Sequence, residues 1–525
     1  MANPRGTPCA EGAIRSARAD SVCVASAKPW VLTATILASS IAYIDESVVN
    51  VALPAIETDL AATVAVIQWI VNGYTLCLSA LLLVGGAAGD QFGRRRLFVI
   101  GLAIFAAASV WCGLAPDVKQ LISARAVQGL GAALLVPSSL ALIGATFDES
   151  ERGKAIGTWA GFSALAAAAG PLLGGWIVDH FSWRWIFLIN PLLALPTIWM
   201  AYLRVPESRD PEAKLGLDWP GTFLALASLG SLAFGLMTWP TSGWNDGLVL
   251  ITVLGGLALF AAFLWVENQS RAPILPLTLF RSRSFSAVNL LTLLLYGALG
   301  GALFFVPFAL IQVHGYPATM AGAAFLPFTI IMAGLSRWAG GLLDRFGARL
   351  PLIIGPAVAA VGFSLMALTV PHGSYLVFVM TVVVLGFGMV ISVAPLTTTV
   401  INAVPSHQAG VASGINNAVA SVANLLAVAI LGAVALAILD HVLDRHLLTS
   451  DLSAGVKQAL ERARDTFVIE PSLSGVQGAD RHIAEAIIKG ALAEGMQVAM
   501  FIAAALALAG AAVGGLIPRS TDQPG

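Results

Sequence analysis

The stretch GAAGDQFGRRR, residues 86–96, closes the second of fourteen apolar runs in this chain of 525 residues. Each run holds about 20 mostly apolar residues, the length that an α-helix needs to cross a lipid bilayer. Small residues give way here to an acid and three arginines, so the stretch marks a helix leaving the membrane on the side where positive charge collects. The sequence therefore predicts a multi-pass membrane protein.

Composition excludes a water-soluble protein. Charged residues make up 11% of the chain and hydrophobic residues 58%, whereas soluble domains carry about 25% charged residues. The net charge of −1 leaves no strongly basic surface, so we expect no nucleic-acid partner. The four cysteines have no metal or redox spacing, and we expect no metal site and no cofactor.

Fourteen membrane spans are predicted from the apolar runs and the residues that bound them. They cover residues 30–54, 68–89, 97–115, 121–145, 154–179, 185–204, 220–240, 247–267, 285–312, 319–342, 351–370, 375–401, 409–439 and 490–517. Lysine and arginine collect in alternate loops, which places both termini in the cytoplasm by the positive-inside rule. We therefore expect an all-α polytopic protein of the cytoplasmic (inner) membrane.

An internal repeat divides the chain. The glycine, acid and glycine at residues 86, 90 and 93 recur at residues 340, 344 and 347. Two homologous helical halves that face each other are the usual build of a secondary transporter. We predict a cytoplasmic tail over 1–29, a six-helix bundle over 30–204, a linker with two additional membrane helices over 205–284, a second six-helix bundle over 285–517 and a cytoplasmic tail over 518–525.

The hydrophilic segment 440–489 falls on the outer side in this topology. Its mixed charges and short helical runs predict a small exposed hairpin or helix pair. A solvated cap and a docking element for a partner are both open interpretations of it.

Few charged residues lie inside the predicted spans, where each costs about 2.5 to 3.5 kcal/mol. Helical periodicity places Asp45 on an apolar face and Glu46 in a polar stripe with Tyr43 and Asn50. We therefore expect Asp45 to be desolvated against a neighbouring helix and Glu46 to line a cavity. Desolvation raises a carboxyl pKa, as a proton carrier needs, whereas an arginine partner lowers it. Arg125 in the fourth span is either an anchor that snorkels to the outer interface or a charge between packed helices.

Further polar residues are candidates for a substrate cavity between the halves. The ninth span lines up Asn289 and Tyr296, and the thirteenth carries Asn417 on a polar face. With the first span, the predicted cavity residues are Tyr43, Glu46, Asn50, Asn289, Tyr296 and Asn417. The second half has no acid deep in a span, so protonation chemistry is assigned to the first half. No phosphate-binding GxxxxGK[ST] loop occurs, and we expect no use of ATP.

These motifs resemble those of the major facilitator superfamily, and within it the fourteen-helix drug:proton antiporter branch. GAAGDQFGRRR resembles the superfamily's signature loop, and LISARAVQGLGAA over 121–133 resembles its arginine-containing fourth-helix signature. AAAAGPLLGG over 166–175 is similar to the antiporter signature of the fifth helix. IDESVVNVALP over 44–54 resembles the branch's first-helix motif, and WRWIFLINP over 183–191 resembles the start of its sixth helix.

The resemblance implies roles for individual residues. Asp45 matches the branch's first-helix acid, and Arg125 would take part in proton coupling with Asp45 or Glu46. A cytoplasmic charge network that latches the halves would comprise Gly86, Asp90, Gly93, Arg94, Arg95, Asp344, Arg345 and Gly347. The antiporter motif that favours export would comprise Gly170, Pro171, Gly174 and Gly175.

Two positions depart from the branch's pattern. Glu46 stands where the branch usually has an uncharged residue, which leaves open whether Asp45 or Glu46 carries the proton. Ala166 replaces the glycine that usually opens the fifth-helix signature.

The expected function is a proton-coupled antiporter that exports amphipathic organic compounds, such as drugs and lipophilic cations, by alternating access. We expect its partners to be a small-molecule substrate, protons and the lipid bilayer, and the chain to act as a monomer. Three alternatives stay open: an exporter of one endogenous metabolite, a proton symporter for nutrient uptake, and a membrane receptor or scaffold. An enzyme is not expected, since the spans offer no nucleophile or metal site.

Overall fold

The computed structural model describes residues 17–209, 218–270, 273–371, 373–404, 409–449, 452–464 and 466–518. Its α-helices are α1 Ala17–Asp59, α2 Val64–Phe92, α3 Arg94–Leu114, α4 Val118–Thr146, α5 Glu149–His180, α6 Trp185–Arg204, α7 Trp219–Ser242, α8 Gly247–Gln269, α9 Arg283–Phe308, α10 Ala318–Ala323, α11 Leu326–Phe346, α12 Arg349–Thr369, α13 Tyr375–Asn402, α14 Ala409–Thr449, α15 Ala454–Arg462 and α16 Gly478–Gly514.

Fourteen helical segments in these ranges are long and apolar enough to cross a membrane. This confirms the predicted all-α polytopic fold. A π-helical turn, Ala309–Val313, extends α9, and the tenth span combines α10 with the first half of α11. Each predicted span falls on one of these segments because apolar length alone identifies a helix that crosses a bilayer.

Two span boundaries were predicted wrong, both next to the hydrophilic segment 440–489. α14 continues to Thr449 and α16 begins at Gly478. The additional turns carry apolar side chains at helical spacing, such as Leu443 and Ile488, and these are buried. The two helices pack against each other, so the polar residues of these turns occupy only their outward faces.

Two sets of six helices form the two halves. In the first half α1 packs on α5 and α6, and α4 packs on α2 and α3. In the second half α9 packs on α14 and α16, and α13 packs on α11 and α12. The halves meet where α2 contacts α14, α5 contacts α10, and α1 contacts α9. The predicted domain boundaries within this arrangement stay predictions.

α7 and α8 form a hairpin beside the two halves. They pack on each other, and α7 also contacts both α2 and α14. Leu229, Ala233 and Met237 of α7 form a small apolar cluster with Leu425 and Ala429 of α14. The hairpin therefore lies across one side of the junction between the halves.

The bundle has two ends. We call the end with the start of α1 and the end of α16 the terminal face, and the opposite end the cap face. Residues 452–464 and 466–477, here called the cap, lie between α14 and α16 on the cap face and contain α15. Val456, Leu460, Phe467 and Leu473 of the cap are buried. The apolar side of this segment packs on the helices below it, so the predicted exposed hairpin or helix pair is exposed only on its outer side.

Candidate functional site

Asp45 and Arg125 form a buried ion pair in the first half. The Asp45 side chain is 0% exposed and the Arg125 side chain 1% exposed. Arg125 Nη1 lies 2.5 Å from Asp45 Oδ2. Arg125 is thus a charge between packed helices and not an anchor at the interface. A charged pair at this depth requires further hydrogen bonds to offset its desolvation.

Amide side chains from two further positions complete the surroundings of Asp45. Gln128 Nε2 and Asn190 Nδ2 donate to Asp45 Oδ1 over 2.8 and 2.7 Å. The same two amides also reach Ser109 Oγ, over 2.8 and 3.3 Å. Helices α1, α3, α4 and α6 therefore converge on one carboxylate, which accepts three charge-stabilising hydrogen bonds.

The guanidinium of Arg125 has its own contacts. Its Nε donates to the Ile70 carbonyl oxygen over 3.2 Å, and its Nη1 donates to Gln128 Oε1 over 2.7 Å. Its centre lies 4.3 Å from the ring centroid of Tyr74, a cation–π geometry. These contacts fix the arginine from α2 as well as from α4, so its position is sensitive to movement between these helices.

Glu46 faces away from this network. Its side chain is half-buried and makes no hydrogen bond or ion pair with any described residue. It lines a central cavity of about 280 Å³ together with Tyr43, Asn50 and Arg125 of the first half. Residues of the second half, among them Asn424, complete the wall. An acid without a partner therefore lies at the junction of the halves.

A larger cavity of about 1360 Å³ continues from this point. It shares Tyr43 and Glu46 with the central cavity and extends to Asp90 at the end of α2 and Ser413 at the start of α14. Both helix ends lie on the terminal face. The two cavities together form a path between the halves from Glu46 to the terminal face.

Five of the six predicted cavity residues line one or both cavities, and Asn289 does not. Asn289 is 2% exposed. Its Nδ2 donates to the Phe285 carbonyl oxygen over 2.8 Å, and its Oδ1 accepts from Asn416 Nδ2 over 3.1 Å. Asn289 therefore lies between α9 and α14. A polar face did not predict this, because an amide can form its hydrogen bonds at a helix contact as well as in a cavity.

On the cap face the halves are held together at α5 and α10. Asp179 at the end of α5 accepts hydrogen bonds from the backbone N–H groups of Ala318 and Thr319 over 3.0 and 2.7 Å, and from Thr319 Oγ1 over 2.6 Å. Glycines of the predicted antiporter motif allow close approach here. A Cβ would overlap the neighbouring helix at each of three of them: Gly170 and Gly174 against α1, and Gly175 against α10.

The predicted latch residues on the terminal face interact within the first half. Arg94 Nη2 lies 2.8 Å from Asp90 Oδ1. Glu207, after α6, accepts from the Arg95 backbone N–H over 3.0 Å and lies close to the Arg95 and Arg96 guanidinium groups. In the described part of the chain, this loop forms no ion pair with the second half.

The remaining latch positions lie at the ends of α2 and α11. Gly86 lines the larger cavity, and Arg345 is exposed. Gly347 has a positive φ of 69°, which favours glycine. The Asp344 side chain lies outside the described residues. Gly93 also has a positive φ, 114°, and a Cβ there would lie 2.8 Å from Glu207 Oε1.

Sequence reasoning missed three residues of this site. Asn190 lies within WRWIFLINP, so its motif was a signal, but its contact with Asp45 crosses from α6 to α1. Ser109 is a single serine among alanines and gave no signal. Glu207 lies in a charged segment after α6, where an acid is ordinarily solvated.

Known proteins are similar to this chain in sequence and in fold. Residues 35–428 match the sequence pattern of the Major Facilitator Superfamily. Multidrug resistance protein Stp of Mycobacterium tuberculosis is 33% identical over 417 residues, 79% of this chain and 77% of that protein. The tetracenomycin C resistance and export protein of Streptomyces glaucescens is 31% identical over 490 residues, 93% of this chain and 91% of that protein.

Among solved structures, a bacterial homologue of the human lysosomal transporter Spinster has the same fold. In its inward-facing and occupied conformation it matches with a TM-score of 0.65 and 17% identity, over 93% of this chain and 96% of that chain.

Proposed function

Because this chain belongs to the Major Facilitator Superfamily, we propose that it exports amphipathic organic compounds across the cytoplasmic membrane in exchange for protons. The superfamily and its structural neighbours are transporters, so the protein is a transporter and not an enzyme. Relatives that are named for drug resistance or export support drugs as the substrate class.

The orientation follows from the charge of the loops. Arginines 94–96, the start of α1 and the end of α16 lie on the terminal face, which is cytoplasmic by the positive-inside rule. The path from Glu46 then leads to the cytoplasm, and the contacts of Asp179 close the outer side. This arrangement is the inward-open state of an alternating-access cycle, in which substrate enters from the cell.

The position of Glu46 in the cavity is the main support for the proposed class of substrate. An acid without a partner in a cavity lined by Tyr43 and Tyr74 attracts a positive charge and offers aromatic faces to an organic cation. We assign substrate and proton binding to Glu46. Asp45 remains paired with Arg125 in this state, and we assign this pair to coupling, because helix movement that separates it would change the charge balance beside Glu46.

The cycle then uses competition at one carboxylate. A cationic substrate binds Glu46 from the cytoplasm, the halves change orientation, and a proton from outside displaces the cation. The neutral Glu46 side chain returns, and the proton leaves to the cytoplasm. Because one cation leaves for each proton that enters, the exchange moves no net charge, and the pH gradient drives it.

Everted membrane vesicles test this proposal. With a proton gradient, the wild type should accumulate a fluorescent lipophilic cation such as ethidium, and Glu46→Gln should abolish accumulation. Asp246→Asn, a change at an exposed helix cap, is the control and should transport normally. Transport by Glu46→Gln at the wild-type rate would refute the assignment. Release of substrate instead of accumulation would show import, and failure with all cations would favour one specific metabolite.

A further inference from the structure

One buried carboxyl group fastens the cap to the first half. Glu57, near the end of α1 on the cap face, is 2% exposed. Its Oε1 accepts hydrogen bonds from Thr466 Oγ1 over 2.5 Å and from the Phe467 backbone N–H over 2.8 Å. Its Oε2 is buried and has no hydrogen-bond partner. Glu57 belongs to none of the motifs discussed above.

The cap itself is part of the second half. α15 packs on α14 and α16, and the Phe467 ring lies 5.9 and 5.6 Å from the rings of Phe305 and Phe308 on α9. The Ile469 backbone N–H donates to Gln312 at the end of α9 over 3.2 Å. The hydrogen bonds of Glu57 therefore join the two halves, and they must break when the cavity opens to the cap face.

No cation compensates a charge on Glu57 among the described residues. On its own helix Asp59 is paired with Arg184. In the cap, Arg464 is paired with Asp444 and Glu461, and Glu470 with Arg481. Arg462 donates to the Ser474 carbonyl oxygen over 2.6 Å. Burial lowers the pKa of His314, beyond α9, so this imidazole is neutral at neutral pH.

The desolvation of an ionised Glu57 carboxylate would be uncompensated here, because one of its oxygens has no hydrogen-bond donor and no described cation pairs with it. A proton on Glu57 removes the charge. When the cap separates from α1, the carboxyl group meets water and ionises readily. Cap closure is thereby linked to proton uptake.

We propose that Glu57 is a second proton-binding site, which holds a proton while the cap is closed and releases it when the cap lifts. The inference rests on the alternating access of the proposed function. The direction of the pH dependence follows from this proposal. Cap closure binds a proton, so an acidic outer solution favours the closed cap and the inward-open state. One such proton changes the ratio of closed to open protein by at most about tenfold per pH unit.

Distance measurement between two spin labels tests the inference. Leu114 at the end of α3 and Gln458 on α15 are exposed on the cap face, and cysteines there carry the labels after the four native cysteines are replaced by serine. All samples also carry Glu46→Gln, so that the cavity acid cannot contribute. Pulsed electron resonance in nanodiscs gives the fraction of closed protein between pH 5 and pH 8.

The reference protein should lose closed population as the pH rises. Glu57→Gln should stay as closed at pH 8 as the reference is at pH 5, because the amide cannot ionise. Asp59→Asn, two residues away, should follow the reference curve. Equal pH curves for Glu57→Gln and the reference, or a reference that does not respond to pH, would overturn the inference.

A second variant covers the case in which Glu57→Gln does not fold. Thr466→Val removes one donor to Glu57 and should lower the closed fraction at every pH while the response to pH remains; an unchanged closed fraction would also overturn the inference. The measurement uses no substrate and no gradient. A failure of the proposed drug transport therefore leaves its outcome unaffected, and the two failures are distinguishable.

Discussion

Replacement of Arg125 by glutamine leaves the charge of Asp45 without compensation. The two side chains are 1% and 0% exposed, so water cannot take the place of the guanidinium. Removal of one member of a buried ion pair costs about 3 to 5 kcal/mol. We expect Arg125→Gln to lower the free energy of unfolding by this amount, measured by titration with SDS in mixed micelles.

The double variant, Asp45→Asn with Arg125→Gln, separates charge compensation from packing. It removes both charges and keeps polar groups that hydrogen-bond with Gln128 and Asn190. It should therefore be more stable than Arg125→Gln alone, by about 2 kcal/mol or more. Arg481→Gln is a matched control, because its ion pair with Glu470 is exposed and should contribute only about 0 to 1 kcal/mol.

Asp45→Asn is also measured alone, and the charge compensation is refuted if its loss and that of Arg125→Gln add in the double variant. Additive losses would mean that each side chain stabilises the bundle through its own contacts and that the pair has no coupling energy. The coupling role proposed for Asp45 and Arg125 would then lose its physical basis.

Four further predictions concern contacts of the bundle. Glu207→Ala removes the acceptor at the start of α3 and should lower the free energy of unfolding by about 0.5 to 2 kcal/mol in the same SDS titration; an unchanged midpoint would contradict the contact. Asp179→Ala removes three hydrogen bonds between the halves, so a cysteine placed in the central cavity should react faster with a reagent added from the cap face. Asn190→Ala removes a hydrogen bond to charged Asp45 and should slow transport of ethidium at least tenfold, since such a bond contributes about 1.5 to 3 kcal/mol. Asn289→Ala, outside the cavity, should leave the substrate range unchanged, and a changed range would place it at the substrate.

The fold could be predicted from the sequence because membrane helices depend on a local quantity, the length of an apolar run. Periodicity on one helix also separated the faces of Asp45 and Glu46, since adjacent residues point about 100° apart. Both inferences need only neighbouring residues. The structure places one acid in a buried network and the other at the cavity, as that separation requires.

Contacts between distant elements could not be predicted in this way. A polar face identifies Asn289 as a residue with hydrogen bonds to satisfy, but it does not tell whether the partner is a substrate or Asn416 on another helix. Asn190 and Glu57 have partners in α1 and in the cap, far along the chain. An exposed hairpin or helix pair was predicted for the cap because its composition is polar, although its few apolar residues are concentrated on one side.

The two faces of the bundle are fastened unequally. On the cap face, Asp179 and Glu57 each join one half to the other, whereas the described ion pairs of the 86–96 loop stay within one half. Opening of the bundle toward the cap face therefore breaks polar contacts between the halves, and closing toward that face restores them.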